Sequence, residues 1–238
     1  MKSTLKRRKG FTLVELLVVI VIIAALAGLA YPQVLKAKKK ADTTQATSNV
    51  RQVGTALMEF ESEYGTYPDS ATAQTVKDNT GSQLTLTGST SNDMFRQLIA
   101  AGITNSEEIF YAKTPYTKKP DNVYNTNATA LAAGECGFAY LMNGNDAFST
   151  SGNPARPIVA TPVLMSGGTS GQFDPNPFDS KAIVLRADTS VQSLNIRSTD
   201  KQVVISGGKT LTQTGDDTVW GTGVTVSIVP PSQKTGGN

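Results

Sequence analysis

A single carboxylate, Glu15, interrupts the apolar run FTLVELLVVIVIIAALAGLA at residues 11–30. A charged side chain facing lipid costs on the order of 2.5–3.5 kcal/mol at mid-membrane and less near an edge, so an intramembrane acid calls for a partner. The chemistry on offer is ion pairing in a low-dielectric setting, where an unpaired charge is costly and a paired one is tolerated. A second set of oxygen donors, Asp174, Asn176 and Asp179, crowds the string FDPNPFDS. Carboxylate and amide oxygens gathered on a turn suit calcium, although this string lacks the glycine and terminal glutamate of an EF-hand. Asx-Pro strings also form plain turns.

Other chemistry is excluded by composition. The chain has no histidine, which removes the usual general base and the commonest metal ligand. No motif singles out a Ser/Lys or paired-carboxylate catalyst, so the chain reads as a non-enzyme. Cys136 is the one cysteine; an intrachain disulfide and a CxxC pair are both impossible, leaving burial or intermolecular pairing. The net charge of +3 is unevenly placed. Lys2, Lys6, Arg7, Arg8 and Lys9 precede the apolar run, and Lys36, Lys38, Lys39 and Lys40 follow it. Beyond Lys40, 13 cations face 18 acids, a net of −5. Nucleic-acid binding by the bulk of the chain is therefore not supported.

The element that must position Glu15 is a helix. Twenty residues of helix span about 30 Å, the thickness of a bilayer's hydrocarbon core. The five leading cations place the N-terminus in the cytoplasm, and the later lysine cluster weakens that asymmetry without reversing it. The rest of the chain then lies outside the inner membrane, with the lysines at lipid headgroups or on a solvated face. The run passes into Pro32 with no A-x-A exit, unlike a cleaved secretory signal. The plain reading is an uncleaved anchor that tethers a non-polymerising extracytoplasmic binding domain, but that reading leaves Glu15 unexplained.

The string KGFTLVELLVVIVIIAALAGLAYP resembles the N-terminus of type IV pilins and type II secretion pseudopilins. The resemblance implies cleavage by a prepilin peptidase between Gly10 and Phe11, then N-methylation of Phe11. It implies that Glu15 pairs with the Phe11 amine of a neighbouring subunit in a filament. It also implies an inner-membrane assembly platform as partner, and a globular domain in the periplasm or in an extracellular filament on a bacterial cell. Pro32 matches the helix-disrupting proline of many members, and with Gly28 it permits a kink or local melting between Ala27 and Gln33. YGTYPD, residues 64–69, also resembles the string that follows the long helix in major pseudopilins. Calcium near C-terminal loops is common among those proteins. The lack of a C-terminal disulfide pair leans toward a pseudopilin, and the length of the mature chain leans the other way.

Past the apolar run, Ala46, Val50, Val53, Leu57, Phe60 and Tyr64 recur in steps of three and four, one face of a helix that packs on a sheet. Gly65 caps this helix and Pro68 prevents its resumption. Residues 70–90 read as a polar surface loop with a short strand at 84–86. Residues 91–101 read as a helix capped by Ser91 or Asn92, with Met94, Phe95, Leu98 and Ile99 inward and Gly102 as its stop. Strands are expected at 137–142, 158–164, 181–187, 191–196, 202–205 and 224–229, with a hairpin turning at 188–190. Helix followed by antiparallel sheet makes the class α+β. The expected organisation is a leader at 1–10, a membrane-spanning and filament-core helix at 11–31, its amphipathic half at 32–64, a pilin-like globular domain at 65–229 and a disordered tail at 230–238.

Overall fold

Leu13–Tyr64 forms one 52-residue helix, α1. In the computed structural model, which describes residues 11–165 and 171–234, contacts divide the chain into two units, Met1–Lys39 and Lys40–Asn238. The leader at 1–10, Gly10 included, lies outside the described residues. In the first unit every described side chain up to Lys38 is exposed. The second unit begins with the part of α1 whose apolar stripe is fully buried: Ala46, Val50, Val53, Leu57 and Phe60. The three-and-four spacing of these residues is the cause, since it aligns them on one face. Tyr64 closes the stripe with its ring stacked on Phe60 at 4.5 Å. Gly54 lies on the same face, where an added Cβ would stand 2.9 Å from a methyl of Leu185. Glycine there lets helix and sheet approach closely.

The helix ends where YGTYPD requires it. Gly65 takes φ 85° and its N–H donates to the Glu61 carbonyl, a left-handed cap that a Cβ would strain. A second helix, α2 (Ser70–Thr80), follows at once, where a loop is expected from the Thr/Ser-rich composition. The reason is local capping. Asp69 accepts from the Ala71 and Thr72 N–H groups at 2.9 Å, and its own N–H donates to Thr72 Oγ1 at 2.9 Å. This reciprocal pair satisfies orphan donors of the first turn, while Ala73 and Val76 supply a small buried face. Residues 84–86 form no strand, although Leu84 and Leu86 are buried. Asp69→Ala should lower stability by about 1–2 kcal/mol through loss of the cap, and Asp69→Asn by much less. Thermal unfolding of the two variants side by side checks this.

Helix α3 (Ser91–Ala100) is the expected one, capped by Thr90 rather than by Ser91 or Asn92. Both of those side chains are buried instead. Ser91 Oγ donates to the Phe138 carbonyl at 2.6 Å, and Asn92 Nδ2 to the Leu131 carbonyl at 2.8 Å. Met94, Phe95, Leu98 and Ile99 are buried as their spacing predicts.

Five strands follow: β1 (Ala139–Asn143), β2 (Pro157–Thr161), β3 (Lys181–Arg186), β4 (Val191–Asn195) and β5 (Val226–Val229). They form one antiparallel sheet in the order β4-β3-β2-β1-β5. The inner strands are buried at successive residues, so the sheet is covered on both faces, which their unbroken apolar runs allow. The β3–β4 hairpin turns at 188–190, with the Arg186 N–H donating to the Ser190 carbonyl at 2.9 Å.

Two expectations fail here. Residues 202–205 form only isolated bridges, Ile196 with Val203 and Val204 with Thr210. Left-handed backbone at Lys201, Gly207 and Gly208 turns the chain too often for a ladder to extend. The tail expected to be disordered from 230 is ordered through 234. Ser91 N–H donates to the Pro230 carbonyl, Gly134 N–H to the Ser232 carbonyl, and Ser232 N–H to Asn92 Oδ1. Pairing of backbone groups, which a Pro/Ser/Gly-rich composition does not reveal, holds it down. Residues 235–238 lie outside the described residues.

Candidate functional site

The N-terminal unit presents Glu15 at the first turn of α1. Thr12 stands just before the helix, in the N-cap position. Its N–H and its Oγ1 both donate to Glu15 Oε2, at 2.8 and 2.7 Å, and the Glu15 N–H donates back to Thr12 Oγ1 at 3.2 Å. This is a Thr-x-x-Glu capping box, in which two orphan helix donors and the acid satisfy one another. A carboxylate at a helix N-terminus is also favoured by the macrodipole. The chain therefore supplies Glu15 with a partial partner of its own. Thr12 escaped the reading of the sequence, although the Thr-x-x-Glu spacing at the start of an apolar run is the signal that finds it.

Around this turn lies an uninterrupted apolar surface. Leu13 and Leu29 are each 78% exposed, and no residue from 11 to 38 is buried. α1 is long and apolar enough to cross a membrane. The helix continues through Gly28 and Pro32 without a break. Pro32 nevertheless has no N–H to give the carbonyl four residues back, which is that of Gly28. The missing bond and the side-chain-free residue coincide, which weakens the turn between them.

The second candidate, Asp174, Asn176 and Asp179, is arranged as a turn. Asp174 Oδ1 accepts from both the Asn176 backbone N–H at 3.0 Å and Asn176 Nδ2 at 2.9 Å. The Asp174 N–H donates to the Pro162 carbonyl, and Asp179 adopts a left-handed φ of 52°. This is the Asx-turn use of these residues. Neither acid joins a cluster of three carboxylates or thiols among the described residues; the cluster that does form is Glu107, Asp121 and Glu135, whose oxygens lie within 4.8 Å of one another.

No motif marked those three residues. They flank and divide the irregular segment between α3 and β1. Glu107 and Glu135 are fully buried while Asp121 is exposed. Burial pushes the Glu107 carboxyl above the usual carboxylate range, and the charges of Glu135 and Asp121 add to that effect. Cys136, next to Glu135, is buried and free. Burial pushes its thiol up to about 12, so it packs as a small hydrophobe and offers no thiolate for intermolecular pairing.

Residues 5–31 match the family model described as the prokaryotic N-terminal methylation motif. The chain is 40% identical over 62 residues to the type II secretion system core protein G of Pectobacterium carotovorum subsp. carotovorum, covering 26% of this chain and 40% of that protein. It is 43% identical over 68 residues to core protein G of Escherichia coli (strain K12), covering 29% and 46%. It is 38% identical over 65 residues to the type IV major pilin protein PilA of Myxococcus xanthus (strain DK1622), covering 27% and 30%. The chain thus spans less than half the length of these relatives. No solved structure matches it significantly.

Proposed function

We propose that the chain is a member of the pilin and pseudopilin family and a structural subunit of a type IV pilus or a type II secretion-like pseudopilus, a reading supported by the methylation-motif match at residues 5–31 and by the similarity of its N-terminal segment to core protein G and to PilA. The family is structural rather than enzymatic, and this chain's role is assembly. A prepilin peptidase cuts after Gly10, and Phe11 becomes the methylated N-terminus. The new amine carries a positive charge at the head of the apolar run. In the filament, Glu15 of each subunit meets the Phe11 amine of a neighbour. A subunit entering out of step leaves a charge buried and uncompensated, so the pair acts as a register device.

The observation that carries this reading is the Thr12–Glu15 capping box set within a wholly exposed apolar helix. The box gives the carboxylate a resting partner in the membrane-anchored subunit. One oxygen, Oε1, takes no part in it and is available to a second donor. The exposed residues from Phe11 onward then exchange lipid for the helices of other subunits. In the same reading Gly28 and Pro32 provide the turn at which α1 bends or unwinds on assembly. The N-terminus is cytoplasmic, the helix crosses the inner membrane once, and the globular domain lies in the periplasm or in the extracellular filament. The inner-membrane assembly platform is the further partner.

Intact mass and N-terminal peptide analysis of the protein from its native membrane test this reading. The expected product is a chain that begins at N-methylated Phe11. A chain still beginning at Met1 or Lys2 would leave Glu15 without a neighbour's amine, and the protein would then be a tethered domain that does not polymerise.

A further inference from the structure

We propose that Glu107, Asp121 and Glu135 form a calcium site that fastens the irregular segment between α3 and β1. This inference concerns the globular unit alone and does not depend on filament assembly.

The segment from Tyr111 to Phe138 contains no helix or strand. Irregular loops of that length are uncommon in compact domains unless something organises them. Glu107 lies just before it, Asp121 near its middle and Glu135 near its end, and one oxygen of each converges within 4.8 Å of the others. Calcium binds oxygens at about 2.3–2.6 Å, so two oxygens on one ion can stand that far apart.

Each carboxylate is held by a backbone amide through one oxygen only. Glu107 Oε1 accepts from the Leu131 N–H at 2.5 Å, Glu135 Oε2 from the Ala132 N–H at 2.7 Å, and Asp121 Oδ1 from the Val123 N–H at 2.9 Å. The second oxygen of each is left over. For Glu107 that oxygen, Oε2, is fully buried and has no hydrogen-bond partner. For Glu135 it is Oε1, which faces only the Lys118 ammonium at 3.1 Å. A buried, unpartnered carboxylate oxygen is strongly unfavourable. The Glu107 carboxylate also stands beside two more acids, which worsens the repulsion unless a cation lies between them.

Lys118, half-exposed, is among the described residues the one cation in an ion pair with these carboxylates, and it pairs with Glu135. Its side chain can leave through solvent as a divalent ion enters. All the donors are hard oxygens, with no nitrogen or sulfur ligand among them. The site is carboxylate-rich and built on irregular backbone, and its open side at Asp121 admits water. These features suit the flexible coordination of calcium better than the rigid octahedron of magnesium. The string at Asp174, Asn176 and Asp179 plays no part.

The test uses the full chain in detergent micelles, first stripped with EGTA. Calcium is titrated by calorimetry, and thermal unfolding is followed by the fluorescence of Trp220. Binding heat is expected, with a melting temperature raised by about 5–10 °C when calcium is a hundredfold above its dissociation constant. Asp121→Asn keeps an oxygen but removes one charge of the site, and should weaken calcium binding at least tenfold with a matching loss of the thermal shift. Glu107→Gln should weaken both signals likewise, with a melting temperature in EGTA no lower than that of the wild type. Asp174→Asn should respond as the wild type does. The proposal is overturned by an absence of heat and shift in the wild type, or by an unchanged response in Asp121→Asn. A response lost only in Asp174→Asn, or matched in full by equal magnesium, overturns it as well.

Discussion

Subunits carrying Glu15→Ala are expected to be cleaved and folded normally yet to yield no sheared filaments. In the proposed filament the substitution leaves the neighbour's Phe11 amine buried without its counter-charge. Breaking a buried ion pair costs about 3–5 kcal/mol, which at each addition step is a factor of more than about a hundred in subunit incorporation. The capping box complicates the reading, because alanine also removes the Glu15 acceptor from Thr12. Glu15→Gln separates the two roles. Glutamine at the third helical position still serves the cap but carries no charge. If pairing with a neighbour is what matters, Glu15→Gln should fail to assemble almost as completely as alanine. Filament recovery near wild type from Glu15→Gln would reduce Glu15 to a helix cap and remove the register argument. The readout is pilin in the sheared fraction against pilin left in the membrane, with circular dichroism of each variant in micelles as the folding control.

Trp220→Ala should be the most damaging single truncation in the globular unit. Trp220 is the chain's one tryptophan and is fully buried. It lies in the stretch between β4 and β5, which carries the chain from one edge of the sheet to the other with little regular structure. Its Nε1 donates to the Leu211 carbonyl at 2.7 Å, and its ring lies 5.3 Å from that of Phe148. Arg156 stands 5.6 Å over Phe148 and donates to the Trp220 carbonyl at 3.1 Å. One ring thus holds together parts of the chain that no ladder joins. Its removal costs about 3–5 kcal/mol from lost contacts and the cavity left behind, or roughly 6–20 °C in melting temperature for a domain of this size. Trp220→Phe keeps most of the ring packing and orphans one carbonyl, so its loss should be clearly smaller. Equal losses in the two variants would place the stabilisation in the hydrogen bond rather than in packing.

The segment 11–64 was legible because its signals are local and periodic. A twenty-residue run with one acid, a three-and-four stripe and a Gly65 stop each act within a turn or two of their own position. The same holds for α3, whose four apolar residues face inward as spaced, and for the β3–β4 hairpin, whose turn residues sit between two apolar runs. Helix α2 lay at the border of legibility. Its composition argued for a loop, and only the pairing of Asp69 with Thr72 overrode it.

Tertiary structure alone decided the rest, because the forces there act between residues far apart in the chain. Strand order, with β5 beside β1, follows from which apolar faces can be covered together. The last residues described are ordered because Ser91, Asn92 and Gly134 pair with them across the fold. Asp174 and Asn176 fold into an Asx-turn, one of the two readings their string allowed. Glu107, Asp121 and Glu135 carried no motif, and only folding brought three like charges to one place. Repulsion between like charges leaves no pattern along a chain, whereas an apolar stripe does.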